Sequence, residues 1–186
     1  MKKALKHITT IQTGVFAKPI PEGEVVYLQA KHFDENGELV NILYPDLEAD
    51  SKIEKHLLRT GDVLFAAKGT KNFAAYYETA NIPAVASTSF FVIRLQTDAI
   101  LPGYLTWFLN HPATQYLLKG KAIGTSIVSI SKAVLEELEI TIPSIRKQEL
   151  VLKLHSLRNR EKKLKQQIEI LREKKIQYQI SKAINL

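Results

Sequence analysis

Apolar residues recur at alternating steps of three and four from Leu150 onward, which is the spacing of a coiled-coil seam. Two intervening seam positions hold the charged residues Glu161 and Lys175. Ser144 precedes the row and can cap a helix, so the pattern predicts one long helix from Ser144 to the C-terminus. One helix cannot bury such a row alone, so we predict that these residues contact a second helix. The apolar members of the seam are Leu150, Leu154, Leu157, Leu164, Ile168, Leu171 and Tyr178.

Residues 1–143 carry shorter patterns that alternate between strand and helix. Two β-rich segments, 24–30 and 38–44, flank Asn36-Gly37, and this arrangement predicts a hairpin. Helices are predicted over 102–109 and 113–118 on either side of Pro112, and over 132–138 with Ser131 as the cap. Further extended segments are predicted at 63–66, 87–95, 123–130 and 139–143. We therefore predict an α+β fold, with a mixed-sheet domain over 1–143 and a coiled-coil helix over 144–186.

The positive charge is concentrated in the predicted helix. The chain has 186 residues and a formal net charge of +7. Residues 144–186 carry 12 Lys and Arg against 4 Asp and Glu, whereas residues 1–143 carry 14 against 15. Seven acids lie between Asp34 and Glu54, where Lys52 is the single base. A surface with one strongly basic side is typical of polyanion-binding proteins, although a solvated basic helix is an equally simple interpretation.

Composition excludes several classes of protein. No cysteine occurs, which rules out disulfides and thiolate metal sites. No apolar run approaches the ~18 residues of a membrane-spanning helix, and residues 1–7 lack the apolar stretch of a secretion signal. We therefore expect a cytoplasmic protein that does not contact the membrane.

Known catalytic patterns are missing from the sequence. The Lys68-Gly69-Thr70 segment lacks the glycine and the Gly-Lys-Ser order of a phosphate loop, and no Gly-x-Gly-x-x-Gly or Gly-x-Ser-x-Gly occurs. Asp46, Asp50 and Lys52 resemble the carboxylate–lysine set of some nucleases, but a three-residue gap is too short for the usual two strands. The five histidines are scattered. We predict no catalytic residues and no metal site, so the chain is interpreted as a binder.

Three groups of polar residues could contact DNA. Cations, hydroxyls and amides beside glycine are the mixture that binds phosphates and reads base edges, although ordinary turn chemistry is the alternative for each group. The predicted DNA contacts are Lys18, Lys31 and His32 in one group, Lys68, Thr70, Lys71 and Asn72 in a second, and Thr125, Ser126 and Ser129 in a third.

The order of several short motifs resembles a known family, the DNA specificity subunits of type I restriction-modification systems. The resemblance covers a target recognition domain and the spacer helix that follows it. The motifs are Leu58-x-x-Gly61-Asp62-Val63-Leu64-Phe65, Pro83–Thr88 leading into Phe90–Leu95, Leu101-Pro102-x-Tyr104-Leu105, Gly124-Thr125, Leu135-x-x-Leu138, Ile140–Pro143 and Gln148.

The resemblance implies a non-catalytic protein that reads half of a bipartite target in double-stranded DNA. It would dock methyltransferase (modification) subunits, which carry S-adenosylmethionine, and through them the restriction subunit. This chain would have no cofactor of its own. Family members usually contain two recognition domains and two spacer helices, whereas this sequence has one of each and resembles a half-subunit. The matching residues Gly61-Asp62 and Pro143 look like scaffold, so the resemblance does not supply the DNA contacts.

A homodimer would complete the half-subunit. Antiparallel pairing centred near residue 166 would place Leu164 beside Ile168, and Leu154 beside Tyr178, of the second copy. Residues 150–178 would span about 43 Å at ~1.5 Å per residue, compared with ~34–36 Å between half-sites one duplex turn apart. The paired helix would then set the distance between two recognition domains. The alternatives are a degenerate nuclease fragment and a coiled-coil adaptor that never binds nucleic acid.

Overall fold

The chain forms two units, a globular unit over Met1–Gln148 and a helical unit over Glu149–Leu186. The computed structural model describes residues 1–34, 37–40, 42–69, 72–78, 83–120 and 128–184. The predicted α+β class, with mixed sheets and a long C-terminal helix, is confirmed.

Ten strands and five helices make up the described part of the chain. The strands are β1 Lys2–Ala4, β2 Thr9–Thr13, β3 Val26–Leu28, β4 Val63–Ala66, β5 Lys68–Gly69, β6 Ala74–Tyr76, β7 Ala84–Ala86, β8 Phe90–Leu95, β9 Val128–Ser129 and β10 Glu139–Thr141. The helices are α1 Ser51–Glu54, α2 Pro102–Asn110, α3 Pro112–Gly120, α4 Lys132–Glu136 and α5 Ile145–Ala183. Short 3₁₀ turns occupy Leu5–His7 and Ala30–His32.

An antiparallel sheet of order β2-β8-β4-β6 lies at the centre of the globular unit. The two middle strands are the ones that the sequence predicts most clearly, and all four residues of β4 are buried. Their register sets Val63 opposite Ile93 and Phe65 opposite Phe91. The outer strands β2 and β6 were not predicted, because their short Thr-rich and Ala-rich sequences carry weak strand signals.

The predicted hairpin between 24–30 and 38–44 is wrong. Strand β3 pairs instead in parallel with β7, with Val26 opposite Ala84 and Leu28 opposite Ala86. All three β3 residues are buried, which is typical of a strand covered on both faces. Among the described residues, Asp34 N donates to Glu38 O at 2.8 Å, and a single bridge joins Phe33 to Leu39. Burial of β3 therefore outweighs the local turn signal; Asn36 itself lies outside the described residues.

The helices α2, α3 and α4 form where the sequence predicts them. Pro112 is the first residue of α3, where a missing backbone N–H removes no hydrogen bond. Ser131 caps α4, because its Oγ accepts a hydrogen bond from Val134 N at 3.3 Å. Ser144 precedes α5, and its carbonyl accepts from Gln148 N at 3.1 Å. The predicted side-chain cap is therefore confirmed at Ser131, and α5 begins directly after Ser144, as predicted.

Three phenylalanines pack together beside the central sheet. Phe33, Phe73 and Phe90 have ring centroids 5.6 to 6.0 Å apart, in tilted and edge-on arrangements. Such pairs add to the stabilisation that comes from burying the rings. They join the turn after β3 to strands of the central sheet, and so help to hold the polar loops described below.

Candidate nucleic-acid interface

An ion pair between the buried Asp62 and the partly buried Arg94 supports the beginning of β4. Asp62 is 1% exposed, and its two carboxylate oxygens accept from Arg94 Nε at 2.7 Å and from Arg94 Nη2 at 2.6 Å. The same carboxylate accepts from the backbone N–H of Arg59 at 2.8 Å. The hydrogen bonds that Arg94 donates to Asp62 raise the pKa of Arg94. Because the carboxylate is fully engaged within the fold, Asp62 acts as scaffold, as the resemblance implies.

Gly61 supplies the backbone conformation that the chain needs directly before Asp62. Its φ of +94° is a backbone conformation that a residue with a Cβ rarely adopts. Its N–H donates to Tyr77 O at 3.1 Å, and Tyr77 N donates in turn to Asp62 O at 2.9 Å. The pair Gly61-Asp62 therefore fixes the turn that leads into the central sheet.

Two amide side chains, one buried and one half-buried, have structural roles that the sequence did not predict. Gln148 is fully buried; its Oε1 accepts from Leu101 N at 2.8 Å, and its Nε2 donates to Ala99 O and Pro143 O at 2.8 and 2.9 Å. Asn110 bonds both backbone groups of Ala74, at 2.7 and 2.8 Å. An amide can pair with a backbone donor and an acceptor together. The only signal available in the sequence was that Gln148 belongs to the motif series.

The structure brings together predicted contacts from two of the three groups. Lys68 of β5 lies opposite Ser129 of β9 in a two-residue antiparallel ladder, so the loop predicted over 68–72 begins as a strand. Ile130 N donates to Ala67 O at 2.9 Å and continues this connection. Lys68 is exposed and Ser129 is half-buried. A cation and a hydroxyl therefore lie side by side at an accessible edge.

Four predicted contacts lie outside the described residues: Thr70, Lys71, Thr125 and Ser126. In the sequence they follow Gly69 and precede Val128, and Gly69 and Val128 are paired with each other.

Asn72 belongs to the same region. Its Nδ2 donates to Ala66 O, at the end of β4, at 2.9 Å, and the residue is half-buried. This bond anchors the return of the chain after β5. We define the polar cluster as Lys68, Asn72 and Ser129. It is the only place where the described residues join candidates from separate predicted groups.

Lys31 and His32 lie elsewhere, on the 3₁₀ turn after β3. Lys31 is exposed, whereas His32 Nδ1 accepts from Gln29 N at 3.3 Å. Burial, and then the charge of Lys31, lower the pKa of His32, while Asp46 acts in the opposite direction. His32 is thus neutral at pH 7 and caps its own turn. Lys31 is the residue of this pair that presents positive charge.

Lys18 has surroundings of mixed charge. It is exposed and lines a cavity of about 330 Å³ together with Glu48, Asp50 and Lys52. Lys18 is separate from the polar cluster in the sheet topology, and the structure does not join it to the other candidates.

The nuclease-like acids have structural partners. Asp46 Oδ1 accepts from Tyr27 N at 2.8 Å, and Asp50 Oδ1 caps α1 by accepting from Lys52 N and Ile53 N at 2.9 and 2.7 Å. Lys52 Nζ donates to Phe16 O at 3.1 Å. These bonds give the residues structural roles, in a turn and in a helix cap.

Across the described ranges, no three His, Asp or Glu side chains converge as metal ligands, and no helix is both long and apolar enough to span a bilayer.

The helical unit exposes its seam. The seven predicted seam residues, from Leu150 to Tyr178, are between 47% and 69% exposed. They lie on one uninterrupted helix, α5, which ends at Ala183. Exposed apolar rows of this kind mark surfaces that pair with another chain. The interface on this unit is consequently apolar, in contrast to the polar cluster of the globular unit.

This fold, with its polar loops at strand ends and its exposed helical seam, defines a class of protein. The chain belongs to the family described as type I restriction modification DNA specificity domain, whose model matches residues 7–170. No curated protein gives a significant match to the sequence.

Solved structures have the same fold. The chain is similar to the S subunit of a type I restriction-modification system from M. genitalium, with a TM-score of 0.59, 20% identity, and coverage of 93% of this chain and 42% of that one. It is also similar to a chain from a study of complex assembly and conformational transition of the type I R-M system (TM-score 0.63, 15% identity, 87% and 38% coverage). A third match is the HsdS subunit from Thermoanaerobacter tengcongensis (TM-score 0.57, 14% identity, 87% and 37% coverage). The chain spans about two fifths of the length of these structures.

Proposed function

We propose that this chain is a DNA-binding specificity subunit, or the part of one that reads half of a bipartite target. The observation that carries the proposal is the family match over residues 7–170. The shared fold over 87% to 93% of the chain supports it. The protein has no catalytic role of its own in this proposal and acts in the cytoplasm, where it meets chromosomal DNA.

The partners follow from the same reasoning. Modification subunits carrying S-adenosylmethionine, and a restriction subunit joined to them, would perform the chemistry at sites that this chain selects. One of the similar structures comes from work on assembly of the type I R-M system, which supports a place in such a complex. The chain itself needs no cofactor for this task.

The polar cluster supplies the first contact to test. Lys68 is exposed beside Ser129, so Lys68→Ala should weaken binding to every duplex to a similar extent, as loss of a phosphate contact does. The matched control is Lys55→Ala, which removes an exposed lysine next to α1. Affinity should be measured by fluorescence anisotropy at several salt concentrations, with the modification subunit present. Equal affinities for the two variants would contradict a DNA contact at Lys68.

The target should be found by methylome sequencing of cells that express the chain with its modification subunit. A methylated inverted repeat is the expected result, because a two-fold dimer presents two identical recognition domains. The interval between the half-sites should be constant, since the paired helices have a constant length. Absence of sequence-specific methylation, together with salt-insensitive absence of DNA binding, would favour the adaptor interpretation instead.

Pairing through α5 is the second part of the proposal. The exposed seam from Leu150 to Tyr178 supports an antiparallel homodimer centred near residue 166. Glu161 and Lys175 would lie in the seam, where they lower stability and discourage other registers. Sedimentation at micromolar concentration should show a dimer.

A further inference from the structure

The seam of α5 is bordered by cations on both sides. The positions that face a partner's flanks in a coiled coil are those directly after Leu150, Leu157, Leu164, Leu171 and Tyr178 and those directly before Leu154, Glu161, Ile168 and Lys175. Val151, Gln167 and Gln179 occupy three of these nine, and the other six are basic and exposed. They are Arg158, Lys165 and Arg172 on one side, and Lys153, Arg160 and Lys174 on the other.

Self-pairing would bring these cations against their own copies. In the antiparallel register centred near residue 166, flanks on the same side meet, so Arg158 lies beside Arg172 of the second copy and Lys165 beside its own counterpart. Like charges at such positions destabilise a pair. Lys165 and Arg172 have acid partners on their own helix, at 2.6 and 3.8 Å, which offset part of the charge on this border, although such exposed pairs are weak. The apolar seam therefore favours pairing while its borders oppose it.

We propose that the borders of the paired helices form a second, sequence-independent binding surface for duplex DNA, and that DNA and self-pairing strengthen each other. This rests on the proposed function, since it requires both a helix pair and a DNA ligand. One border would hold six cations, three from each copy, within about 24 Å at ~1.5 Å per residue. A polyanion that neutralises this row removes the repulsion and so stabilises the dimer.

The distribution of charge favours DNA as the ligand. Residues 1–143 carry 14 basic against 15 acidic residues, whereas residues 144–186 carry 12 against 4. Sequence-independent affinity for DNA comes from cations that displace counterions from phosphates. In a chain of the DNA specificity domain family, the helix holds the excess of cations that such contacts need.

The test compares two double variants with the full-length chain. R158Q/R172Q removes two cations from one border, whereas K162Q/K163Q removes two cations from the outer face of the same helix. Sedimentation gives the dimer dissociation constant from about 50 mM to about 500 mM NaCl, a range that shortens the screening length several-fold. The probes are an arbitrary duplex of about two turns and, separately, polyglutamate.

We expect the dissociation constant of the wild-type dimer to fall on the order of tenfold as salt is added, because screening weakens the repulsion. R158Q/R172Q should pair more tightly at low salt and respond less to salt, whereas K162Q/K163Q should match the wild type. At low salt the duplex should promote pairing of the wild type, and R158Q/R172Q should bind the duplex more weakly, with a smaller dependence on salt.

Three results would overturn the inference, and they separate it from the proposed function. If salt does not tighten the dimer, or if R158Q/R172Q pairs as the wild type does, the charged borders do not affect pairing. The proposed dimer would still stand. Promotion of pairing by polyglutamate and not by the duplex would show that the ligand is an acidic protein. A monomer at every salt concentration, with or without duplex, would overturn the proposed dimer itself.

Discussion

The two units of this protein place polar and apolar side chains in opposite ways. In the globular unit, charged and amide groups are buried: Asp62 is 1% exposed and Gln148 is 0% exposed. In the helical unit, large apolar groups are exposed, with Leu164 at 49% and Leu171 at 64%. Buried polar groups require partners, and exposed apolar rows are costly in water. Asp62 and Gln148 have their partners within the globular unit, whereas in the proposed dimer the apolar row of the helical unit is covered by a second copy.

The comparison suggests where each kind of substitution acts. Changes at buried polar residues of the globular unit should lower folding stability without changing the oligomeric state. Changes at the exposed seam should abolish pairing and leave the globular unit folded. Four experiments test this separation, beginning with the largest expected effect.

Replacing Leu164 by Glu should abolish the dimer. The register centred near residue 166 places both copies of Leu164 at the middle of the seam, so the change removes two buried leucines and adds two charges. Loss of burial alone amounts to about 4 kcal/mol per dimer, or roughly a thousandfold in the dissociation constant. Ile170→Glu, which changes a residue off the seam that is 56% exposed, is the control. Sedimentation that gives equal association for both variants would contradict the seam.

Replacing Asp62 by Ala should destabilise the globular unit by about 3 kcal/mol, because Arg94 loses its ion-pair partner in a largely buried site. Urea unfolding followed by circular dichroism measures the change. Asp98→Ala, at an exposed acid, should stay within about 0.5 kcal/mol of the wild type. Equal stabilities of the two variants would show that the Asp62–Arg94 pair is not a scaffold.

Replacing Gln148 by Ala should cost about 2 kcal/mol, since Leu101 N and two carbonyls lose a partner in a buried position. Gln167→Ala removes an exposed glutamine from the same helix and should have little effect. Unfolding curves of both variants provide the comparison. A destabilisation by Gln167→Ala as large as that by Gln148→Ala would argue against a specific role for Gln148.

The smallest effect concerns pH. The pKa of His32 is lowered, first by burial and then by Lys31, so the unfolded chain binds a proton more readily than the folded chain. The contribution of His32 to stability is complete above the unfolded pKa of about 6.5 and is lost as the pH falls through the lower folded pKa. The fall in Tm from about pH 7.5 to about pH 5.5 should therefore be smaller in His32→Gln. An identical fall in Tm in both proteins would show that His32 does not contribute to the acid sensitivity.

Local signals in the sequence were sufficient for several elements. The middle strands β4 and β8 were predicted from runs of β-branched and aromatic residues, and Ser131 and Pro112 marked the beginning of α4 and α3. These signals depend on interactions within a few residues. The strand β3 shows the limit, because its partner β7 begins at Ala84, and no local pattern encodes a pairing across that distance.

The candidate DNA contacts also show what the sequence could and could not predict. The residue types that suit DNA contact were visible in the sequence, but their grouping was not: the ladder of β5 with β9 joins Lys68 to Ser129, while Lys18 lines a separate cavity with Glu48, Asp50 and Lys52. The structure also gives His32 and Asn72 internal hydrogen bonds that composition could not reveal.

By itself, the sequence determined the long helix, its apolar seam with basic borders, and the order of motifs that marks the family, because periodicity and order are properties of the chain. Only the tertiary structure decided that Asp62 meets Arg94, that Gln148 bonds Ala99, Leu101 and Pro143, and that Lys68 lies beside Ser129. All of these contacts except the one from Gln148 to Pro143 join residues far apart in sequence. They are set by the requirement that buried strands and buried polar groups find partners somewhere in the fold.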